Sequence, residues 1–303
     1  MKHTVINKTA LKQKSDVLGI PFSNLLAGFV LESLMYLIET SEFADTLWLK
    51  NVNIFGVEQY RKKNLLTLEF AYLTDEKVIK KGELRPGQKL SFNMGCVMLA
   101  YILKKEKVPE IKWMARPFMK ENVLDIQLTG EFEEMIVPLR IRVDEITGEE
   151  IIPMRKHLAL FMDPKQNITY LEYPVDKKLS ELLFLVIRDM ELIAEMSVYD
   201  QIYTILSQEA VDGRRVREMI REYCIRENIP TEKERMDTVL SYRHYAYMRK
   251  RWEKYLRHNK RKEPDWDAVM KKIGGFLPRV WKSICRDEIF FGDWMPGLGR
   301  FLD

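Results

Sequence analysis

The hydrophobic pattern changes period a little past the middle of the chain, after Pro174. Phe22, Leu25, Leu26, Phe29, Val30, Leu34, Leu37 and Ile38 recur at the helical period and predict a helix over 22–40, with Ser23 or Asn24 available to cap it. From 47 to 73 the texture is that of two strands, LWLKNVNIFG and NLLTLEFAYL, around a charged turn at Glu58–Lys63. Arg85-Pro86-Gly87 marks a turn, 93–105 a helix, and WMARPF, NVLDIQLTG and VPLRIRVDE three more strands. The last is the clearest: Val137, Leu139, Ile141 and Val143 alternate with charged residues, as in a half-buried strand, and deliver Asp144 at the strand end, where the sheet should run into a loop that turns at Thr147-Gly148.

After Pro174 the period becomes helical almost to the end. Helices are predicted over 179–196, 198–207 and 214–227, with a break at Asp212-Gly213. Thr231 and Glu234 read as a capping box ahead of a long helix over 237–258. A further helix, 266–273, should stop at Gly274-Gly275, and the aromatic, Gly-rich tail should pack as an irregular cap. The expected class is therefore α+β: a mixed sheet with helices over 1–175, then an all-helical part over 176–303.

Composition narrows the function. The chain has 303 residues, 46% hydrophobic, with 49 basic and 45 acidic side chains, so its net charge of +4 does not by itself mark a nucleic-acid binder. Cys96, Cys224 and Cys285 are too scattered for a disulfide framework or a zinc site, which favours a reducing cytoplasm. Cys96 reads as small core packing, and His157 as a partly buried strand or helix residue. No signal peptide opens the chain, and the apolar run Leu25–Ile38 is too short to span a bilayer, so no membrane partner is expected.

Charge is clustered in one place. Residues 241–262 hold nine Lys or Arg against the single acid Glu253. Arg243, Arg249, Lys250, Arg251, Lys254 and Arg257 are interleaved with Tyr242, Tyr245, Tyr247, Trp252 and Tyr255. Cations neutralise phosphates and aromatic rings stack on unpaired bases, so this composition suits an RNA surface. The same residues also suit an ordinary helix: Tyr245, Met248, Trp252 and Tyr255 fall on one stripe, a core face with a solvated cationic back.

The order of several segments resembles the AbiEii/AbiGii nucleotidyltransferase-like toxins of bacterial abortive-infection systems. SEFADTLWLK is similar to the segment before that family's Gly-Gly motif, and VDEITGEEIIP to the strand with its third catalytic carboxylate. YPVDKKLSELLFLVI, SVYDQIYTIL and DAVMKKIGGFLPRVW resemble the later segments. The resemblance implies a nucleotidyltransferase fold, a nucleoside triphosphate, Mg2+ or Mn2+ held by carboxylates, and a cognate antitoxin protein as partner.

Residue by residue the match is broken. Asn51-Val52, after Lys50, stands where the family has Gly-Gly, and Thr67-Leu68-Glu69 where it has Asp-x-Asp. Lys63–Leu66 replaces an Arg-Thr lead-in. Asp144 keeps the third carboxylate; Glu181 is kept but the Lys after it is Leu182; Asp200 is kept but the basic residues before it are Ala194, Glu195 and Met196. By this resemblance Glu69 and Asp144 are the catalytic and metal-binding candidates, and Lys50, Asn51, Glu181 and Asp200 the nucleotide-binding ones. Losing a metal ligand and the phosphate-cradling glycines together should cost on the order of 10³-fold or more in rate. The reading is a pseudoenzyme that binds RNA, nucleotide or a partner protein. Its alternatives are an active metal-dependent nucleotidyltransferase and a non-enzymatic α+β protein working through its basic helix.

Overall fold

The computed structural model describes residues 6–62, 67–75, 85–104, 107–147, 151–259 and 261–302. The chain divides into two compact units, Met1–Pro174 and Val175–Asp303.

The first unit is built on a seven-stranded mixed sheet of order β3-β4-β5-β2-β1-β7-β6. The strands are β1 (Leu47–Leu49), β2 (Thr67–Thr74), β3 (Ile111–Lys120), β4 (Val123–Phe132), β5 (Met135–Thr147), β6 (Met154–Ala159) and β7 (Asn167–Glu172). β3, β4 and β5 form an antiparallel meander, while β2 runs parallel to β5 and β1 parallel to β7. Glu121 and Asn122, both at positive φ, make the tight turn that lets β4 fold back on β3.

Strand alternation decides which face is buried. Leu68, Phe70 and Tyr72 of β2, Leu124, Ile126 and Leu128 of β4, and Leu139, Ile141 and Val143 of β5 all enter one core. The helices α2 (Phe22–Glu39) and α4 (Phe92–Ile102) supply its other half. α2 is long and apolar enough to cross a membrane, yet 72% of it is buried in this core. Glycine allows the close approach of helix to sheet: a Cβ on Gly95 of α4 would lie 2.7 Å from Leu124, and one on Gly130 of β4 would lie 2.8 Å from Val30 of α2.

Several expectations are corrected. The helix α1 (Lys8–Leu18), capped by the Asn7 side chain and closed by Gly19 at φ 62, has no counterpart in the pattern reading. Of the turn expected over Glu58–Lys63, Lys63 lies outside the described residues, and Val57–Lys62 forms a short helix instead, α3, because Tyr60 reaches the core while Glu58 and Arg61 stay exposed. α2 starts after Pro21 with no side-chain cap, and Asn24 Nδ2 donates to Tyr60 O instead. β6 and β7 pair as a hairpin, and His157 in β6 is exposed rather than partly buried, because its neighbour Leu158 takes the inward position; its Nδ1 lies 3.0 Å from Thr169 Oγ1. Asp144 lies within β5, which runs on to Thr147; Gly148 and Lys63–Leu66 fall outside the described residues. Cys96 is exposed; its neighbour Gly95 is the packed residue.

The second unit is mainly helical: α5 (Val175–Asp189), α6 (Ser197–Gln208), α7 (Gly213–Arg226), α8 (Lys233–Ser241), α9 (Ala246–His258) and α10 (Trp266–Cys285). α10 packs against α6, α7, α8 and α9. It does not stop at Gly274-Gly275. It runs 20 residues through both glycines and Pro278, because Val269, Met270, Ile273, Phe276, Leu277, Val280, Trp281 and Ile284 are buried along it. That burial outweighs local cost, which for two glycines is about 2 kcal/mol. The long helix expected over 237–258 is two helices separated by a 3-10 turn at Tyr242–His244 and by Tyr245 in extended conformation. Thr231 caps nothing: Glu232 is the N-cap of α8 and makes no side-chain cap bond.

To these helices the unit adds one small three-stranded sheet: from the tail expected to be irregular, β9 (Asp293–Met295) and β10 (Arg300–Leu302) join β8 (Val211–Asp212), which lies between α6 and α7. Asp212 then caps α7, accepting from the backbone N–H groups of Arg214 and Arg215. A Cβ at Gly213 would lie 2.5 Å from Gly292 O, so only glycine fits where the tail crosses the start of α7.

Candidate functional site

The face of the sheet opposite the main core carries the candidate site of the first unit. Its residues follow from register alone. Asp125 stands beside Arg142, and Arg142 beside Glu69. Just past the end of β1, Lys50 donates its backbone N–H to Glu69 O at 2.8 Å. One row across four neighbouring chain segments therefore reads acid, base, acid, base: Asp125, Arg142, Glu69, Lys50. Opposite charges directly across a sheet stabilise each other.

Asp144 lies one step along β5 on the same face, beside Ala71 of β2. Glu69 and Asp144 are thus diagonal neighbours on adjacent parallel strands, about 7–8 Å apart at the backbone. The Lys50 ammonium reaches Asp144 Oδ2 at 3.0 Å and lies 4.8 Å from the centre of the Tyr173 ring. Its side chain is 14% exposed and that of Asp144 39%. Trp48, Ala71 and Tyr173 pack as a small apolar patch at this end of the face. The cation is thus held between a carboxylate and a ring, against an apolar floor, where its charge is screened less than at an open surface.

Asn51 takes part through its amide. Oδ1 accepts from Glu69 N at 2.7 Å and Nδ2 donates to Thr67 O at 3.4 Å. The side chain copies the pairing of a peptide group and extends the edge of β1 along β2. A glycine could not do this, since it has no side chain to bond. Among the described residues no three His, Cys, Asp or Glu side chains converge as a metal cage.

The other candidates lie in the second unit. Glu181 is a half-buried residue of α5 whose charge helps to raise the Tyr223 phenol, although burial raises it more. Asp200 of α6 accepts from Tyr255 Oη at 2.8 Å and from Arg261 Nη1 at 2.6 Å. It ties α6 to α9 and to the segment beyond it. Burial first, and the Asp200 charge second, push the Tyr255 phenol well above its ordinary range, which keeps it a hydrogen-bond donor.

The basic segment separates into two groups. Arg243 and Arg249 both pair with Asp267, at 3.1 and 3.0 Å, and hold its carboxyl below the usual range. Arg251 donates to the carbonyls of Glu191, Ile193 and Ala194. By contrast Lys250, Lys254 and Arg257 are exposed, and none forms an ion pair among the described residues. Of the predicted core stripe, Met248 and Trp252 are buried, Tyr255 is half-buried and Tyr245 is 46% exposed. The pattern reading did not single out Asp267. It follows Trp266 at the start of α10, 24 and 18 residues from its arginine partners, a separation that no local pattern reports.

No family model and no curated protein matches the chain. Among solved structures it is similar to JHP933 from Helicobacter pylori, with a TM-score of 0.46 and 6% identity over 88% of this chain and 94% of that one. It is similar also to a candidate nucleotidyltransferase from H. pylori, with a TM-score of 0.42 and 6% identity over 88% of this chain and 96% of that one.

Proposed function

We propose that this chain is a nucleotidyltransferase-like protein of the abortive-infection or toxin–antitoxin kind that acts by binding RNA rather than by nucleotidyl transfer. The observation that carries the reading is the Lys50–Asp144 pair: the one carboxylate matching the family's pattern already has its charge met by an ammonium of the chain itself. Two further features support it. Asn51 fills the position of a phosphate-cradling glycine and spends its amide on β2. Glu69 stands in register between two cations. A donor set of two carboxylates, with Asp144 already bound to Lys50, does not suit a site for two divalent cations, each of which needs several oxygen ligands. The free cations of α9 give RNA a place to bind. A cognate antitoxin would then be a protein that competes for the same surface.

The second reading is an active enzyme, favoured by one observation: Glu69 and Asp144 share a face of adjacent parallel strands. In that case the two would hold Mg2+ or Mn2+, which would offset charge on the triphosphate, and Lys50 would turn from Asp144 to a phosphate.

The test is calorimetric titration of the protein with each nucleoside triphosphate in the presence of Mg2+ or Mn2+, followed by an assay for transfer of label to total RNA. The expected result is no metal-dependent transfer and no loss of RNA binding in an Asp144→Ala variant. Transfer that disappears in Asp144→Ala would overturn the proposal in favour of the enzyme.

A further inference from the structure

The cations of α9 that remain free lie beside a cleft of about 470 Å³ in the second unit, walled by Glu191, Leu192, Tyr245, Tyr247 and Arg251. Its shape is fixed by Arg251. The guanidinium donates to three backbone carbonyls of the 191–194 segment and packs 5.6 Å from the centre of the Tyr247 ring. Met190, at φ 52, turns the chain into that segment, and Leu192 is left 83% exposed at its tip. Tyr247 is 55% exposed and meets Tyr245 edge to face at 6.1 Å. Two rings and a leucine are therefore presented outward, next to a cation, on a frame already pinned by hydrogen bonds.

The helix sets what lies beside the cleft. From Tyr247, the positions three, seven and ten residues on are Lys250, Lys254 and Arg257, one continuous stripe on the surface of α9. All three are exposed cations. The cleft lining carries one acidic and one basic side chain, Glu191 and Arg251, and so no net charge to draw a phosphate inside, whereas a planar base can stack on the exposed ring. Only a base free of its partner can leave the stack to do so.

We infer that this cleft takes one unpaired base of a single-stranded nucleic acid, with Tyr247 stacking on it and Lys250, Lys254 and Arg257 neutralising the adjoining phosphates. The inference rests on the binding half of the function proposed above and deepens it by naming the form of the ligand and its seat.

The experiment is fluorescence anisotropy of the full chain with short labelled oligonucleotides: single-stranded RNA, single-stranded DNA of the same sequence, and the RNA duplex, each over a range of salt. Single strands should bind at least about 10-fold more tightly than duplex, because stacking is denied to paired bases. Tyr247→Ala should weaken single-strand binding by about 10-fold and leave the salt slope unchanged, while Tyr247→Phe should bind as the parent does. Changing Lys250, Lys254 and Arg257 together to Glu should reduce the slope of log K against log salt by about 2, the value for three phosphates on a single strand. Thermal melts establish that each variant is folded. The RNA and DNA arms identify which strand is the ligand. Equal affinity for duplex and single strand, or an unchanged affinity in Tyr247→Ala, would overturn the cleft and leave RNA binding standing. No binding of any oligonucleotide would remove both.

Discussion

The charged row of the sheet and the charged face of α9 use the same kinds of side chain to opposite effect. In the sheet, Asp125, Arg142, Glu69 and Lys50 alternate in sign, and Asp144 closes on Lys50. On α9, Lys250, Lys254 and Arg257 share a sign and have no ion-pair partner among the described residues. Alternating signs leave the row little net charge, with Lys50 bound to Asp144 and Asp125 to Arg140, whereas like charges on one helix face add up. If the proposed RNA binding holds, it should therefore depend on the α9 cations and not on the charged row of the sheet.

Among the described residues, the limiting case of a carboxylate with no cation paired to it is Glu32 in the core of the first unit. It is 3% exposed and accepts from Tyr60 Oη at 2.6 Å and from Phe161 N at 3.0 Å. Burial raises its pKa from 4.5 to about 7, against the lowering by these two hydrogen bonds. The folded protein thus holds the proton more tightly than the unfolded chain does. Its contribution to stability is complete below 4.5 and is lost as pH rises through about 7. The expected loss is about 3 kcal/mol, read as a falling urea midpoint across that window, and Glu32→Gln should flatten the fall. A midpoint unchanged over the window would show that Glu32 has a partner of opposite charge, as Asp144 does.

A smaller effect is expected where the row meets the core. Asp125 is 4% exposed and is gripped by Arg140 through two nitrogens, whereas the arginine side chain is 56% exposed. Arg140→Ala should cost about 2 kcal/mol, because it strands a buried charge. Removing both partners as Asp125→Asn with Arg140→Ala should recover part of that loss. Chemical denaturation of the two variants would read it.

The smallest effects should separate the cations of α9 from one another. Arg251→Ala, which loses three acceptors, should cost about 1–2 kcal/mol. Lys254→Ala should stay within about 0.5 kcal/mol. Similar losses for both would mean that Lys254 is also spent on structure.

These distinctions bear on what the sequence could disclose. β5 was legible because one face is buried throughout, so Val137, Leu139, Ile141 and Val143 alternate without exception. α2 was legible for a similar reason. α10 was misread because Gly274, Gly275 and Pro278 argue locally for a stop, and only packing against four other helices argues for continuing. The tail was misread because β8 and β9 are some eighty residues apart in the chain. For the site, the family resemblance suggested Lys50, Glu69 and Asp144 as candidates. It could not give the ion pair, whose partners are separated by 94 positions. Likewise, the cluster of basic residues was plain, but not which of them were already bonded to Asp267 and to the carbonyls of 191–194.

One further feature bears on how the protein behaves in a crowded solution. β3 is the outermost strand on its side of the sheet, so one of its edges carries backbone groups with no neighbouring strand among the described residues. Its sequence sets Lys112, Arg116 and Lys120 at alternate exposed positions and places Pro117 between them. Proline offers no N–H to an incoming strand, and like charges on two copies repel each other as they approach. The same residues that make this edge look unremarkable keep one molecule from extending the sheet of another. A Pro117→Thr change combined with loss of the flanking cations would remove both devices and open this edge to a strand from a second copy.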